Sequence, residues 1–439
     1  MSGASRTPLL APAPFGGPST VAAAASGRHP ALAKRSKDMS AAGSWGAQDA
    51  LLITLTGPDR PGITAEIASL LATGEMVLLD VEQVVVQGIL SLTFVVENAE
   101  GKLEEKPILK DLLWKAREMG LHIDFQLGAR PNRTTGRQSW AVTLLAPQIS
   151  AAMLADAANA AAVRGFNIDK IGRLSATAIS SIELTLSSER AADTQGLKQD
   201  LLTLQTTHGC DVALQREGLM RRSKRLVVMD MDSTLIQQEV IDELARCYGV
   251  YDKVSEITHR AMNGELSFDE ALRERVALLA GAPESILTEV LDAIELTPGA
   301  EELIRVLKKL GYRLALISGG FIELAEPIRQ RLGLDYAFAN QLDIEKGKLT
   351  GKVRGPIVNR QRKADLLESI AQAERVALDQ VIAIGDGAND LDMLKRAGLG
   401  IAFNAKQVVR EQANYAINQH NLDAILYLLG ITDIEAQLV

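Results

Sequence analysis

The chain has 439 residues, of which 47% are hydrophobic and 23% charged, and its formal net charge is −8. This length predicts two to four domains, and the composition is that of a soluble globular protein. The negative charge argues against a nucleic-acid or membrane-surface partner. The two cysteines, Cys210 and Cys247, lack metal-ligand spacing, so we expect a reducing compartment and no disulfide framework. No apolar run approaches the roughly 18 residues that span a bilayer.

Residues 1–45 are rich in Pro, Ala, Ser and Gly, and five lysines and arginines precede the first acidic residue, Asp38. Such a segment cannot bury a core, so we predict that it is disordered. Its basic, acid-poor character is also that of a transit peptide, which would direct the protein to a plastid or mitochondrion. The alternative, which we favour because no clear amphipathic helix is present, is an over-long start before Met39 in a cytoplasmic bacterial protein.

Two stretches with the same order of elements follow, at 46–129 and 138–215. The first has a strand at Leu51–Thr56, the turn Gly57-Pro58-Asp59-Arg60-Pro61-Gly62 and a helix at Ile63–Ala72. Two strands, a helix and a last strand follow, so the order is βαββαβ, a ferredoxin-like pattern. The second stretch is a weaker copy with Ala146-Pro147-Gln148-Ile149 at the corresponding turn.

The first copy, with its Gly57–Gly62 turn, resembles the ACT domain, a small regulatory module that often binds amino acids at pair interfaces. The resemblance extends to the second copy, over about residues 50–215, and implies an amino-acid effector at the turn. We also expect a homodimer. The second copy lacks the glycine of the turn, which weakens the case for a ligand there. For both copies, a dimerisation or packing module without a ligand is the alternative. The basic connector Arg216–Arg225, with Arg221, Arg222 and Lys224, is predicted to be a solvated hinge.

The apolar run Leu226–Met229 predicts a strand buried on both faces, and it ends in Asp230 and Asp232. In open α/β sheets, chemistry gathers beyond the carboxyl ends of such strands. Two carboxylates there suit a Mg²⁺ ion, or a nucleophile beside a general acid and base. A solvated turn or a fragment of a Ca²⁺ loop is the alternative.

Four further features follow in chain order. A largely helical stretch continues to about Ile294 and predicts a lid at about 236–296. The strand Tyr312–Ile317 ends in Ser318-Gly319-Gly320, whose small residues let N–H groups approach a phosphate. Lys363, near the start of a predicted helix, would ordinarily be solvated. The strand Val381–Ile384 ends in Gly385-Asp386-Gly387-Ala388-Asn389-Asp390, which adds carboxylates at the same sheet edge.

Taken in this order, the motifs around Asp230, Ser318, Lys363 and Asp386 resemble the haloacid dehalogenase superfamily. The resemblance covers about residues 222–439 and implies an α/β fold, with a Rossmann-like parallel sheet and a helical cap behind the two ACT-like modules. Within the superfamily, Glu239 and the cap stretch containing Phe268 and Arg275 resemble the phosphoserine phosphatase family. The expected activity is then hydrolysis of O-phospho-L-serine to serine and phosphate, the last step of serine biosynthesis.

The resemblance also implies a role for each site residue. Asp230 is the nucleophile that forms an aspartyl-phosphate, and Asp232 is the general acid and then the general base. Mg²⁺ would be held by Asp230, the main-chain carbonyl of Asp232, and Asp386, with Asp390 orienting these ligands. Ser318, Gly319 and Lys363 would bind the phosphoryl group, and Asn389 would lie near the phosphate. Glu239 would bind the substrate ammonium, and Arg275 would bind the substrate carboxylate.

Two other classes of function remain open from the sequence. The same scaffold could pass phosphate from Asp230 to an alcohol, as a phosphotransferase, or hydrolyse another small phosphorylated metabolite. A non-catalytic amino-acid sensor is the second alternative, and the intact Asp230, Asp232, Lys363 and Asp386 argue against it.

Overall fold

The computed structural model of the protein describes residues 49–98, 108–129, 138–176, 179–188, 192–413 and 415–438. These residues form two compact units, one within 49–129 and the other within 138–438. The predicted tail at 1–45 lies outside the described residues. Among the helices that are described, none is both long and apolar enough to cross a membrane.

The first unit is a single βαββαβ module. Its strands form an antiparallel sheet in the order β2-β3-β1-β4, and its core lies between this sheet and two helices, with Ile53, Ile67 and Leu112 fully buried. Gly62 has φ 98° and immediately precedes the first helix, so the predicted turn needs glycine there. The elements are β1 (Asp49–Pro58), α1 (Ile63–Thr73), β2 (Met76–Val86), β3 (Ile89–Asn98), α2 (Ile108–Glu118) and β4 (His122–Ala129).

The second unit begins with another βαββαβ module, whose strands are ordered β6-β7-β5-β8 in an antiparallel sheet. The repeat predicted from the sequence is therefore confirmed. Its elements are β5 (Gln138–Ala146), α3 (Ala151–Val163), β6 (Asn167–Ala176), β7 (Ser180–Ser188), α4 (Thr194–His208) and β8 (Asp211–Arg216).

A seven-stranded sheet follows the second module, in the order β12-β11-β10-β9-β13-β14-β15. All neighbours are parallel except β11 and β12, which form an antiparallel edge. The central strand β9 is buried on both faces, as its apolar run predicted. The strands are β9 (Leu226–Met229), β10 (Arg313–Phe321), β11 (Tyr336–Glu345), β12 (Lys348–Arg354), β13 (Val381–Gly385), β14 (Leu399–Phe403) and β15 (Tyr415–Ile417).

Four helices between β9 and β10 form the cap, and the parallel sheet with this cap confirms the predicted α/β fold. The chain leaves the core at Ile236 and returns at Leu296, and these two residues pair as an isolated antiparallel bridge. The cap helices are α6 (Val240–Tyr248), α7 (Tyr251–Met262), α8 (Phe268–Ala277) and α9 (Ser285–Ala293). The other helices of this part are α5 (Leu219–Arg222), α10 (Ala300–Lys309), α11 (Ile322–Leu332), α12 (Arg360–Ala373), α13 (Leu391–Arg396), α14 (Gln407–Gln412), α15 (Ile425–Leu428) and α16 (Asp433–Leu438).

The second module has a core of its own, and one face of its sheet also packs into the core of the seven-stranded part. Leu145 and Ala213 of the module belong to the same buried cluster as residues of α10 and α15. Polar contacts tie them as well, because the carboxylate of Asp211 accepts the N–H of Asn418 at 2.7 Å, and Gln215 Nε2 donates to the Leu428 carbonyl at 2.8 Å. This module therefore packs against the seven-stranded sheet within one unit.

The prediction of a solvated hinge at Arg216–Arg225 is wrong. Arg221 is 4% exposed and pairs with Glu183 and Glu217, and Lys224 is 8% exposed and donates to the Asp379 carbonyl. The sequence showed a basic run, but the acidic partner Glu183 comes from a distant strand. The connector thus packs between the second module and the sheet.

Candidate active site

Asp230 begins the site at the carboxyl end of the central strand. Its N–H donates to the Ile384 carbonyl at 2.9 Å, and its Oδ1 accepts the N–H of Met231 at 2.7 Å. The register of the three central strands aligns Met229 with Leu316 and Ile384. Asp230, Ser318 and Asp386 each lie one or two residues beyond that line, so the parallel strands bring them to one edge.

Asp232 has a different set of partners from Asp230. The chain turns at Ser233, which has φ 54°, and the Asp232 carboxylate accepts the N–H of Val240 at 2.8 Å and the hydroxyl of Ser318 at 2.9 Å. Burial raises the pKa of Asp232, and these two hydrogen bonds offset part of the rise. The Asp232 carboxyl group thus faces the start of the cap, whereas the Asp230 carboxyl group faces the core.

Lys363 is fully buried between two carboxylates, and α12 places it there. Its Nζ lies 2.8 Å from Oδ1 of Asp230 and 2.7 Å from Oδ1 of Asp390. Burial alone would lower the pKa of Lys363, but the two carboxylates outweigh that effect and raise it, so the ammonium stays charged. The solvated position that the sequence left open for this lysine is excluded.

The loop after β13 adds two more carboxylates. Asp390 accepts the N–H of Gly387 through Oδ2 at 3.0 Å, while its Oδ1 is bonded to Lys363. A methyl group on Gly385 would lie 2.5 Å from Cγ of Asp390, so the tight loop requires glycine at that position. Since both Asp390 oxygens already accept hydrogen bonds, the arrangement suits the orienting role predicted for it.

These carboxylates form a cluster that fits a divalent cation. Oxygens of Asp230, Asp386 and Asp390 all lie within 4.8 Å of one another. Burial, followed by the charge of Asp390, raises the pKa of Asp386 to about 7 and also raises that of Asp230. The single ammonium of Lys363 offsets only part of this repulsion. A small, hard cation with oxygen ligands would offset the rest, so the residues present fit Mg²⁺.

Two charged groups approach the site from the cap side. Glu239 precedes α6 and accepts the Ser233 hydroxyl at 2.8 Å. Its side chain keeps contact with solvent, but desolvation of the carboxyl group together with the Asp232 charge raises its pKa to about 7. Arg275 lies on α8, where burial lowers its pKa and the nearby Glu239 partly opposes that shift. In the described part of the chain no ion pair joins Glu239 to Arg275, which leaves both groups able to bind a ligand.

The remaining predicted residues lie around Ser318. The ring of Phe268 packs on Gly319, where an added methyl group would lie 3.0 Å from Cζ of the ring and 3.8 Å from Nδ2 of Asn389. The structure therefore brings Asn389 and Gly319 together at the sheet edge, with the cap directly above them. The roles assigned to all these residues stay predictions.

Sequence reasoning missed two residues that hold the site loops. Buried Asn340 donates through Nδ2 to the Gly319 carbonyl at 2.8 Å, and it is 2% exposed. Thr297 donates its hydroxyl to the Thr234 carbonyl at 2.7 Å and so anchors the loop that carries Asp230. Neither residue carries a local signal, because Asn340 is one of several polar residues in β11 and nothing nearby marks Thr297.

Comparison with known proteins gives three family matches and a set of close relatives. Residues 49–126 and 138–215 match ACT domain models, and residues 224–398 match the haloacid dehalogenase-like hydrolase model. The chain is 45% identical over 387 residues to a phosphoserine phosphatase of Streptomyces coelicolor, covering 88% of this chain and 93% of that one. It is 40% identical over 398 residues to phosphoserine phosphatase SerB2 of Mycobacterium tuberculosis, covering 89% and 96%.

Solved structures agree with these matches. A probable phosphoserine phosphatase from Vibrio cholerae has a TM-score of 0.54 at 35% identity, and it covers 69% of this chain and 89% of its own. A hydrolase of the haloacid dehalogenase family from Salmonella enterica serovar Typhi has a TM-score of 0.60 at 31% identity, covering 66% and 98%. The chain therefore belongs to the phosphoserine phosphatase family of haloacid dehalogenase-like hydrolases, with two ACT domains ahead of the hydrolase domain.

Proposed function

We propose that this chain is a Mg²⁺-dependent phosphoserine phosphatase, which hydrolyses O-phospho-L-serine to L-serine and phosphate. The observation that carries the proposal is the separation of the two motif carboxylates. Asp230 is paired with a buried ammonium 2.8 Å away, and Asp232 is held by a hydroxyl and an N–H on the other side. Two carboxyl groups in such different environments can take different chemical roles.

Asp230 acts as the nucleophile in this proposal. One of its carboxylate oxygens attacks phosphorus in line, and the bond from phosphorus to the serine oxygen breaks, which leaves an aspartyl-phosphate. Lys363, Ser318 and the N–H of Gly319 hold the phosphoryl oxygens, where positioning and charge stabilisation supply most of the catalysis. Full burial of Lys363 strengthens that interaction, because water does not screen it.

Asp232 transfers the protons. In its carboxylic acid form it protonates the departing serine oxygen, and burial, which raises the pKa of Asp232, favours that form. The resulting carboxylate then takes a proton from the water that attacks the aspartyl-phosphate, so phosphate is released and Asp230 is regenerated. The same residue therefore serves both halves of the reaction.

Mg²⁺ would be held by the carboxylates of Asp230 and Asp386 and by the main-chain carbonyl of Asp232. When bound, the ion supplies positive charge that reduces repulsion between the Asp230 carboxylate and the substrate phosphate. The carboxylate cluster and the raised pKa values of Asp230 and Asp386 support this assignment.

Glu239 and Arg275 bind the amino-acid part of the substrate. Glu239 would pair with the ammonium group, and the planar guanidinium of Arg275 would bind the carboxylate through two hydrogen bonds. Both come from the cap, whose closure would exclude water. The reaction is the last step of serine biosynthesis, and we propose the cytoplasm as its place.

The first ACT domain would bind a small amino-acid effector. A cavity of about 410 Å³ lies at its turn, lined by Asp59–Ala65 and Gln83. The N–H groups at the start of α1 favour a carboxylate, and Gly62 lets the backbone approach it. We assign the effector site to this domain alone, since one face of the second ACT domain's sheet packs in the hydrolase core.

The edge strand β2 supports the proposed homodimer. Six of its residues are exposed although they are apolar: Val77, Leu78, Val81, Val84, Val85 and Val86. An exposed apolar strand at the edge of a sheet is a ready template for pairing with another chain. We propose that β2 of one protomer pairs with β2 of its partner.

The experiment that tests the proposed function is phosphate release from four matched substrates, with Mg²⁺ and with EDTA. O-phospho-L-serine should be hydrolysed best. Phosphoethanolamine lacks the carboxylate, 3-phosphoglycerate replaces the ammonium by a hydroxyl, and p-nitrophenyl phosphate lacks both groups. The Asp230→Asn variant measures the background. Equal rates on all four substrates would contradict phosphoserine specificity, and full activity in EDTA would contradict the metal.

A further inference from the structure

The cap helix α8 contacts the core near both of its ends. Beyond its C-terminal end, the N–H of Gly281 donates to the Leu349 carbonyl at 2.8 Å, and the N–H of Leu349 donates to the Ala282 carbonyl at 2.9 Å. These main-chain bonds do not depend on side-chain identity. Near the N-terminal end the contacts are made by the side chains of Phe268 and Asp269. The N-terminal contact is therefore the one that side-chain chemistry can adjust.

Asn359 joins this N-terminal end to the core. Its Nδ2 donates to Oδ1 of Asp269 at 3.0 Å, while its Oδ1 accepts the N–H of Arg362 at 3.1 Å. Asn359 is the N-cap of α12, so one side chain both begins that helix and contacts the cap.

The two helices joined by this contact carry groups from opposite sides of the site. On α12, Lys363 lies one turn after Asn359, and its N–H donates to the Asn359 carbonyl at 2.8 Å. On α8, Phe268 packs on Gly319, and Arg275 follows Asp269 by about 9 Å along the helix axis. The contact therefore links the phosphate-binding side to the side that faces the amino-acid part.

We propose that Asp269 and Asn359 form the closing contact of the cap, a pair of positioning residues that hold Phe268 and Arg275 over a bound substrate. Neither residue touches substrate or reacting atoms. They act by favouring the closed arrangement of the cap over an open one. The inference rests on the proposed function, because Arg275 acts on the substrate only in that case.

The variant N359D tests the contact without removing the helix cap. Aspartate caps a helix as well as asparagine does, so α12 should remain intact. Two carboxylates then oppose each other where a hydrogen bond stood. The lost hydrogen bond and the new repulsion between two partly exposed charges each contribute only a small free energy. We therefore expect kcat/KM for O-phosphoserine to fall about tenfold, mostly because KM rises. Hydrolysis of p-nitrophenyl phosphate should change by about twofold or less, because it has no amino-acid part.

The double variant D269N/N359D restores the hydrogen bond with donor and acceptor exchanged, so KM should return to within about twofold of the wild-type value. The matched control is E274Q, which removes a carboxylate of the same helix that pairs with Arg260 inside the cap. Its KM should equal that of the wild type. An unchanged KM in N359D, or no recovery in the double variant, would overturn the closing contact.

Hydrogen–deuterium exchange on the full chain gives a readout that does not depend on activity. Backbone amides of Phe268–Ala277 should exchange faster in N359D than in the wild type and recover in D269N/N359D. Equal exchange in all three proteins would overturn the inference. A wild type that fails to hydrolyse O-phosphoserine would instead overturn the proposed function, and the exchange comparison would still decide the contact.

Discussion

The Nζ of Lys363 lies 2.8 Å from Oδ1 of Asp230, and the two side chains are 0% and 4% exposed. A buried ion pair is costly to assemble, because both charges lose their water. Here one ammonium compensates two carboxylates, since Asp390 is also bonded to it. The carboxylates of the site therefore outnumber its single ammonium group. This excess favours binding of a cation, and without a cation the carboxylates repel one another.

Replacing Lys363 by methionine should abolish turnover and destabilise the fold. The change keeps most of the side-chain volume but leaves buried carboxylates unpaired, which typically costs about 3–5 kcal/mol. Urea denaturation in Mg²⁺-free buffer measures this free energy of unfolding. Lys395→Met is the control, because that lysine is exposed on α13. Equal stability of the two variants would contradict the compensating role of Lys363.

The loss caused by Lys363→Met should depend on pH. Burial and Asp390 already raise the pKa of Asp230, and Lys363 opposes that rise, so its removal raises the folded-state pKa further. The folded variant then binds a proton more tightly than the unfolded chain does. The stabilisation that this proton gives the folded variant is fully present below the ordinary carboxyl pKa, and it is lost as the pH rises through the folded-state pKa of Asp230. The difference from the wild type should therefore be larger at pH 8 than at pH 5.

Asp386→Asn should weaken the metal site. The Mg²⁺ concentration for half-maximal activity should rise at least about tenfold. Titration calorimetry provides the second readout. Because the pKa of Asp386 is raised to about 7, wild-type Mg²⁺ affinity should be higher at pH 8 than at pH 6. The control is Asp392→Asn. Asp392 lies on α13 and its carboxylate pairs with Arg360, so this variant should keep the wild-type Mg²⁺ affinity. Equal Mg²⁺ affinity in Asp386→Asn and the wild type would exclude Asp386 as a ligand.

Arg275→Ala should penalise O-phosphoserine far more than p-nitrophenyl phosphate. Only the amino-acid substrate has a carboxylate for this guanidinium, and removing one partner of a desolvated charge pair costs about 2–5 kcal/mol. The ratio of kcat/KM for the two substrates measures the effect. Arg273→Ala, two residues earlier and exposed, should leave that ratio unchanged. Equal losses on both substrates would make Arg275 a structural residue of α8.

The strand ends of the site could be predicted from local sequence, because apolar runs and the glycines and aspartates that end them are short-range signals. Leu226–Met229 and Val381–Ile384 were located in this way, and with them Asp230 and Asp386. The burial of Lys363 could not be predicted, since the face that α12 turns to the core is decided by packing. The same holds for Arg221, whose partner Glu183 lies 38 residues earlier in the chain.

Contacts between the cap and the core were also beyond the sequence. Asn359 is recognisable as an N-cap, but nothing local indicates that its amide also binds Asp269, 90 residues earlier. Asn340 and Thr297 show the same limitation. Their hydrogen bonds hold site loops through main-chain carbonyls, which any residue type can present. Residues that bear the chemistry could thus be predicted better than those that position them.

The first ACT domain should make the enzyme sensitive to its own product. L-serine should bind the cavity at Asp59–Ala65 and weakly inhibit the full chain, provided that it prefers one arrangement of domains or protomers over another. Gly62→Val should reduce this inhibition with little change in uninhibited turnover. Gly62 has φ 98°, a conformation that a β-branched residue resists, so the variant displaces the N–H groups at the start of α1.

Calorimetry and inhibition curves on the wild type and Gly62→Val measure this effect directly. Gly165→Val is the matched control, because Gly165 also has a positive φ, of 80°, but lies in the second ACT domain. It should carry similar backbone strain and keep the serine response. If serine binds only in the catalytic pocket, inhibition will be purely competitive and equal in all three proteins. The first ACT domain would then act in assembly through its β2 edge, and its cavity would have no part in regulation.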